Sequence, residues 1–480
     1  MLLKRRDFVI SLAALMGGCA TKVDAIAPKI STQDVMDDEI IADVHKRTFN
    51  FFWETCDDER GLTPDRYPTR TFCSIAAVGF ALTAYCIGVK RNYVSREDAA
   101  KRTLNTLKFL YNAPQGDAPN GMAGHKGFFY HFLNYSDGTR YKNCELSSID
   151  TTLFIYGALV AKEFFDKNDE IESQIRDYAQ KLYERIDWGF LTSPSGLLGM
   201  GWHPETGYIK ALWEGYSEGI LCYLLGMASP TYPIDASAWD KWCSTYDLTW
   251  GKNMGTQEHV GYFSLSVHQL PHIWYDLRDI SDKYMRKRGL TYFENTRRAT
   301  LTQRTYAINN PQKFNDYSEN IWGFAACDGP YDGKLDIDGK TRFFRSYSER
   351  GPGTRAMFDD GTIAPTSSIS SMPLTPNESI AALKALRAKY GDDIYGKYGF
   401  FDSFNPTYKG NYPSQFGHQT KNAGWVTYDY LGIDQGPIIA MIENHSSGFV
   451  RDLMKGSSVV KTGLQKAGFE PINANGNWMK

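Results

Sequence analysis

The residues best suited to chemistry in this chain are carboxylates set where a loop meets a helix. Trp213-Glu214-Gly215-Tyr216-Ser217-Glu218-Gly219 runs straight into Ile220-Leu221-Cys222-Tyr223-Leu224-Leu225. That run is apolar on every face, so the helix it starts is buried. A carboxylate in the first turn of such a helix has two readings. Glu218 can satisfy the free N–H groups and positive end of the helix. Alternatively it sits partly desolvated in a cleft beside Trp213 and Tyr216, where burial raises its pKa and keeps it protonated as an acid. The helix dipole opposes that rise, so both readings stay open on the residues alone.

Three other segments place carboxylates in similar settings. In Glu145-Leu146-Ser147-Ser148-Ile149-Asp150, Ser147 and Asp150 have capping-box spacing ahead of an apolar run, whereas Glu145 lies just outside the helix, where a loop would present it to a pocket. Tyr398-Gly399-Phe400-Phe401-Asp402-Ser403-Phe404-Asn405-Pro406 sets Asp402 among aromatics. It reads either as a turn-making Asp or as a base held rigid by packing. Near the C-terminus, Gly424-Trp425-Val426-Thr427 leads into Gly432-Ile433-Asp434-Gln435-Gly436-Pro437, where Asp434 is a helix N-cap or a ligand contact. Asp150, Trp213, Tyr216, Phe404, Trp425, Asp434 and Gln435 are the candidate substrate contacts around the candidate catalytic groups Glu218, Asp402 and Glu145.

Other chemistries find little in the chain. There is no phosphate loop, dinucleotide glycine pattern, nucleophile elbow or zinc-binding helix motif. The nine histidines do not cluster at metal-ligand spacing, and His125, His131 and His203 read more readily as satisfied surface or core residues than as substrate contacts. No metal and no organic cofactor is expected. A net charge of −2, with no Lys/Arg block after the first residues, argues against nucleic acid as a partner. The aromatic content, 11 Trp, 30 Tyr and 27 Phe, supplies flat apolar rings with polar edges that suit sugar faces, although such rings are also ordinary core material.

The elements that must position these residues are mostly helices. Apolar residues recur at three- and four-residue spacing near 38–55, 71–88, 96–112, 147–166, 171–186, 216–228, 282–300, 376–389 and 434–450, between loops rich in Gly, Pro and Asn. Strand signals are few. The clearest is alternation around the Asp338-Gly339 turn, which predicts a hairpin over 334–343. An all-α fold with a small hairpin ornament follows. Many similar helices without a short exact repeat fit a closed double ring better than a solenoid, since the long aromatic loops suit a concave site on a rigid frame.

The first residues form an address. Lys4-Arg5-Arg6 precedes an apolar stretch from Phe8 to Met16 ending in Gly17-Gly18-Cys19, the layout of an export signal with a twin-arginine element and a lipoprotein-type cleavage site before Cys19. Lipidation at Cys19 and simple cleavage nearby are equally open. Residues 1–19 are thus the signal, 20–36 a tether, and 37–475 the working domain. The expected location is the periplasm, free or anchored to a membrane by lipid. The remaining seven cysteines are scattered and read as small buried hydrophobes.

Taken together the segments resemble glycoside hydrolase family 144, the bacterial β-1,2-glucanases, and the wider glycoamylase-like group. The matching stretches are Glu145–Thr151, Trp213–Glu218 with Ser229–Ile234, Asp360–Thr366, Tyr398–Asn405, and Gly432–Pro437 with Met441–Asn444, in order along nearly the whole chain. The resemblance implies an (α/α)6 toroid without metal or organic cofactor, and inverting cleavage of β-1,2-glucosidic bonds; a monomer is expected. By the same resemblance Glu218 matches the general acid, Asp402 the base, and Glu145 a third acidic group in the cleft. Inversion asks for an acid and base roughly 6.5–9.5 Å apart, with water between. The chain departs from the pattern at Tyr232, where the family commonly has His, and at Gly219, where it has Ala, which leaves endo or exo action open. A non-catalytic glycan-binding lipoprotein, a transglycosylase or a lyase on the same fold are the rival readings.

Overall fold

Helices that are apolar all round must be buried all round, and four of them form the centre of this molecule. The structure, a computed structural model, describes residues 35–472 apart from 253, 255 and 354–356; the expected export signal, with Cys19, lies outside the described residues. Ile75–Lys90 is buried at every position from Ile75 to Gly88, and Gly219–Met227 along its whole length. Ser148–Phe164 and Gly432–Ser446 are buried over most of theirs. Ile75–Lys90 packs between Ser148–Phe164 and Gly432–Ser446, and Ser148–Phe164 in turn packs against Gly219–Met227. The first of these contacts is so close that a Cβ on Gly157 would lie 2.0 Å from the Gly79 carbonyl oxygen.

Shorter helices continue the series. Pro365–Ile369 packs on Gly432–Ser446, and Gln269, at the end of Leu265–Gln269, donates from Nε2 to Ser367 O at 2.6 Å and Ser371 Oγ at 2.7 Å. His268 of the same short helix meets the Tyr216 ring at 4.7 Å, just before Gly219–Met227. Amphipathic helices cover the outside. Glu39–Thr55 packs on Gly432–Ser446 and Ile75–Lys90, Glu170–Glu184 on Ser148–Phe164, and Arg96–Asn112 on Glu170–Glu184. Their starts are set by side chains that the sequence places well: Asp38, Ser95 and Asp169 each accept a hydrogen bond from the first turn.

Several boundaries differ from the sequence reading for local reasons. The 282–300 helix is two, Lys283–Lys287 and Tyr292–Asn309, broken at Gly289 with φ +66°. The 434–450 helix begins earlier, at Gly432, and stops at Ser446 ahead of Gly448 at φ +72°, after which Phe449–Gly456 starts afresh. The hairpin is present as Gly333–Ile337 paired with Lys340–Phe344. Strands are more numerous than expected, because most are two to four residues long and carry no periodicity. They include a five-stranded sheet in which Leu146–Ser147 lies between Phe128–Tyr130 and Gly201–His203.

These short strands lead into the central helices and tie their N-terminal ends together. Cys73–Ser74, Leu146–Ser147 and Tyr430–Leu431 each run directly into a helix. Ile75 N–H donates to His131 O, His131 N–H to Glu145 O, and Gly432 N–H to Asp65 O. The loops carrying the candidate carboxylates are therefore fixed at one end of the helix set.

Candidate active site

At that end His131 is clamped between two carboxylates. Its Nδ1 lies 2.9 Å from Glu145 Oε1 and its Nε2 3.5 Å from Asp150 Oδ1. Burial alone would lower the imidazole, but Asp150 and Glu145 outweigh it and push it up to about 9. Glu145 goes the other way: burial works to raise it, yet His131 pulls it down to about 2. At neutral pH the group is an imidazolium beside an ionised Glu145. Asp150 keeps the predicted capping geometry, with its N–H donating to Ser147 Oγ at 3.2 Å and its Oδ2 accepting from that hydroxyl at 2.5 Å.

A second acidic group surrounds Arg66. The guanidinium approaches Asp65 Oδ2 at 3.2 Å, Asp328 Oδ2 at 2.9 Å and Asp429 Oδ2 at 3.7 Å. Beside it Asp402 Oδ2 accepts from Asp328 N–H and Ser403 Oγ–H, both at 2.8 Å. Asp402 Oδ1 and Asp434 Oδ2 are buried and receive no donor from the described residues, and the two carboxyls lie close enough for each to bear on the other's proton. Two carboxyl groups meeting this way must share a proton, because like charges so close cannot both ionise out of water. Burial and then the charge of Asp328 push Asp402 up to about 6; burial and then Asp402 push Asp434 well above the usual carboxylate range. One arginine among five aspartates leaves the group short of positive charge, which sustains both shifts.

Glu218 stands at the N-cap position of Gly219–Met227, half-buried, and makes no side-chain bond to the helix it starts. The hydrogen-bonded form of the capping reading is thereby removed, although the carboxyl still stands at the positive end of the helix. The Cys222 thiol feels both Glu218 and Asp150, so both carboxyls lie in its neighbourhood. Gly219 has a reason to differ from Ala here, since a Cβ would come 3.0 Å from Trp213 Cβ.

The aromatic candidates lie behind this surface. Trp213 is buried with its indole N–H donating to Ser148 Oγ at 2.8 Å, and Tyr216 is buried against Tyr246 and Tyr292. Phe404 and Trp425 are fully buried in apolar clusters, and Trp425 Nε1–H is spent on Gln415 O. Gln435 is also fully buried and donates to Phe400 O at 2.9 Å. None of these three offers a surface to a sugar, which corrects the expectation that they contact it; each supports the loops from inside. Asp434 is likewise no N-cap, since Leu431 holds that position and the Asp434 carboxyl turns to Asp402. Farther along the same helix Glu443 is structural: it pairs with Arg91 at 2.6 Å and His45 at 3.4 Å.

What sequence reasoning missed is the set supplied by loops and one two-residue strand: Asp65, Arg66, Asp328 and Tyr347. No periodicity marks them. Tyr347 is 46 % exposed, yet its hydroxyl feels Asp434, Asp402, Asp65 and Asp328. A side chain ringed by protein charges but open to solvent sits in a concave wall. Two shallow outer hollows of about 230 and 380 Å³, around Arg102 and Phe109, hold none of these groups. Among the described residues no cluster of His, Cys, Asp and Glu has metal-holding geometry.

The family model for glycoamylase matches residues 210–458, a stretch that carries Glu218, Asp402 and Asp434. This chain belongs to the glycoamylase family. His131, Glu145 and Asp150 precede the matched stretch. Among relatives, an exo β-1,2-glucooligosaccharide sophorohydrolase (non-reducing end) of Parabacteroides distasonis is 25% identical over 477 residues, covering 92% of this chain and 60% of the relative. This glycoamylase-family chain thus spans about three-fifths of the length of the curated relative it matches. A solved glucoamylase-family structure from Bacteroides uniformis has TM-score 0.76 at 28% identity, covering 92% of this chain and 99% of that one. An endo-β-1,2-glucanase from Chitinophaga pinensis, solved with sophorotriose and glucose, has TM-score 0.74 at 24% identity over 90% and 98% of the two chains, a likeness of fold.

Proposed function

We propose that this chain is an exported glycoside hydrolase that cleaves β-1,2-glucan with inversion, built on an (α/α)6 toroid. The observation that carries the reading is the buried pair Asp402–Asp434, where burial and neighbouring charge raise Asp402 to about 6 and so supply a base near neutral pH, with Glu218 as a separate carboxyl at the start of another central helix. The named activities of the similar proteins support the linkage. The helix contacts fit six inner segments, the four long ones with Leu265–Trp274 and Pro365–Ile369, inside an outer set. Export rests on the sequence of the first residues, with Cys19 as the candidate lipid site.

In this mechanism Glu218 gives its proton to the glycosidic oxygen as the C1–O bond breaks. Asp402 takes a proton from water, directly or through a sugar hydroxyl, as the water oxygen bonds C1 from the opposite face. Glu145 is ionised far below neutral pH and so cannot be the acid; with His131 it holds sugar hydroxyls. Glu218→Gln should fold normally and lose ~10²–10⁴-fold in kcat. Near-normal turnover would remove Glu218 as the acid. NMR of fresh digests should show the α-anomer first; initial β-anomer would sink inversion. Thin-layer chromatography of products separates stepwise sophorose release from internal cutting, and longer products would reveal transglycosylation.

A further inference from the structure

The segment Arg345–Arg350 is organised by one buried guanidinium. Arg350 has no exposed surface, and its Nε and Nη2 hold Asp360 Oδ1 and Oδ2, each at 2.9 Å. Its Nη2 also donates to Arg345 O at 2.8 Å and Ser346 O at 3.1 Å, and its Nη1 to Ser348 O at 2.8 Å and Cys327 O at 2.7 Å. Backbone bonds between Cys327 and Ser348 of 3.1 and 3.0 Å tie the segment to the loop that carries Asp328. With the carbonyls on both sides of it drawn inward to Arg350, Tyr347 is turned outward into the cleft.

There it has no partner of its own: among the described residues nothing hydrogen-bonds the Tyr347 hydroxyl, although it lies within the field of Asp434, Asp402, Asp65 and Asp328. Such a clamp fixes a backbone that would otherwise be free, at the cost of burying an ion pair, and what it presents is an exposed ring with an unspent O–H. We propose that Tyr347 is a sugar-contacting residue of the cleft, its ring packing on the glucosyl unit held over Asp402 and Asp434 and its hydroxyl donating to that unit. An aromatic face and a fixed donor are the pair of features by which proteins grip a pyranose. Because the protein packed around the hydroxyl, and then the nearby carboxylates, push the phenol well above its ordinary range, it stays protonated and a donor at neutral pH while one ring face remains open. Arg350 and Asp360 act through it, as positioning residues.

The inference rests on the hydrolase reading above, and one set of measurements separates the two. Wild type, Tyr347→Phe and Tyr347→Ala are assayed on a panel of β-1,2-, β-1,3- and β-1,4-glucans, with thermal midpoints as a folding control. Tyr347→Phe should lower kcat/KM roughly three- to tenfold, the loss of one hydrogen bond. Tyr347→Ala should lower it ~10- to 100-fold, mostly through KM, with an unchanged midpoint because the ring is exposed. If wild type cleaves β-1,2-glucan and both variants stay within twofold, Tyr347 does not touch the sugar and this inference falls alone. If wild type cleaves no glucan in the panel, the proposed function falls and takes this inference with it.

Discussion

Replacing Asp402 by Asn should destroy activity and stabilise the protein at alkaline pH. Asp402 has an ordinary value of 3.8 and is pushed up to about 6. A folded-state value above the unfolded one means the native protein keeps a proton between those pH values that the unfolded chain has released. Stability therefore falls as pH rises from about 4 to about 6, and above that the full cost stands. At 1.36 kcal/mol per tenfold it comes to about 3 kcal/mol, an order of magnitude for a buried, proton-sharing pair. In Asp402→Asn the amide oxygen can still accept from Asp328 N–H and Ser403 Oγ–H, while the amide NH₂ donates to Asp434 and relieves the carboxyl–carboxyl contact. The assay is urea unfolding of wild type and variant at steps from pH 4 to pH 8. The variant should gain up to about 3 kcal/mol at pH 8 and nothing at pH 4, while kcat falls ~10²–10⁴-fold as the base is lost. A variant less stable than wild type at pH 8, or a gain independent of pH, would refute the shared-proton account.

The His131 clamp works with the opposite sign. His131 is raised from 6.5 to about 9, so its contribution is fully present below pH 6.5 and lost as pH rises through 9, about 3 kcal/mol in all. Glu145, lowered from 4.5 to about 2, is largely the same interaction seen from its partner, lost as pH falls through that window, and the two do not add. NMR should find the His131 imidazole titrating near 9; a value near 6.5 would mean the clamp is open in solution. For the Arg350–Asp360 pair, Arg350→Met leaves a buried carboxylate and several carbonyls without donors and should cost roughly 3–5 kcal/mol in denaturant unfolding. A loss under about 1 kcal/mol would show that the 345–350 segment holds itself without the guanidinium.

Much of the helical frame was legible from local pattern. Arg96–Asn112 matches the predicted span because Ser95 caps it and its apolar positions recur at helical spacing. The buried run after Glu218 and the hairpin at Asp338-Gly339 were readable for the same reason: one residue type at one spacing states a preference that neighbours do not overrule. Short strands such as Cys73–Ser74 or Leu146–Ser147 were not, because two residues carry no period and pair with partners far away in the chain.

For the site, the sequence alone determined which carboxylates stand at loop–helix junctions, Glu218, Glu145, Asp150 and Asp434, and which one, Asp402, is set in a turn among aromatics. Tertiary structure decided what each one is. Trp425, Phe404 and Gln435 look like ligand residues by type, and only their complete burial removes them. Asp434 looks like a cap and becomes a proton-sharing partner because a loop more than thirty residues earlier brings Asp402 against it. His131 looks like a satisfied surface or core residue and is held charged by carboxylates 14 and 19 positions away. Helix and turn preferences are set by near neighbours in the chain. Protonation, exposure and reach are set by whatever the fold places within a few ångströms, and that is long-range information no single segment contains.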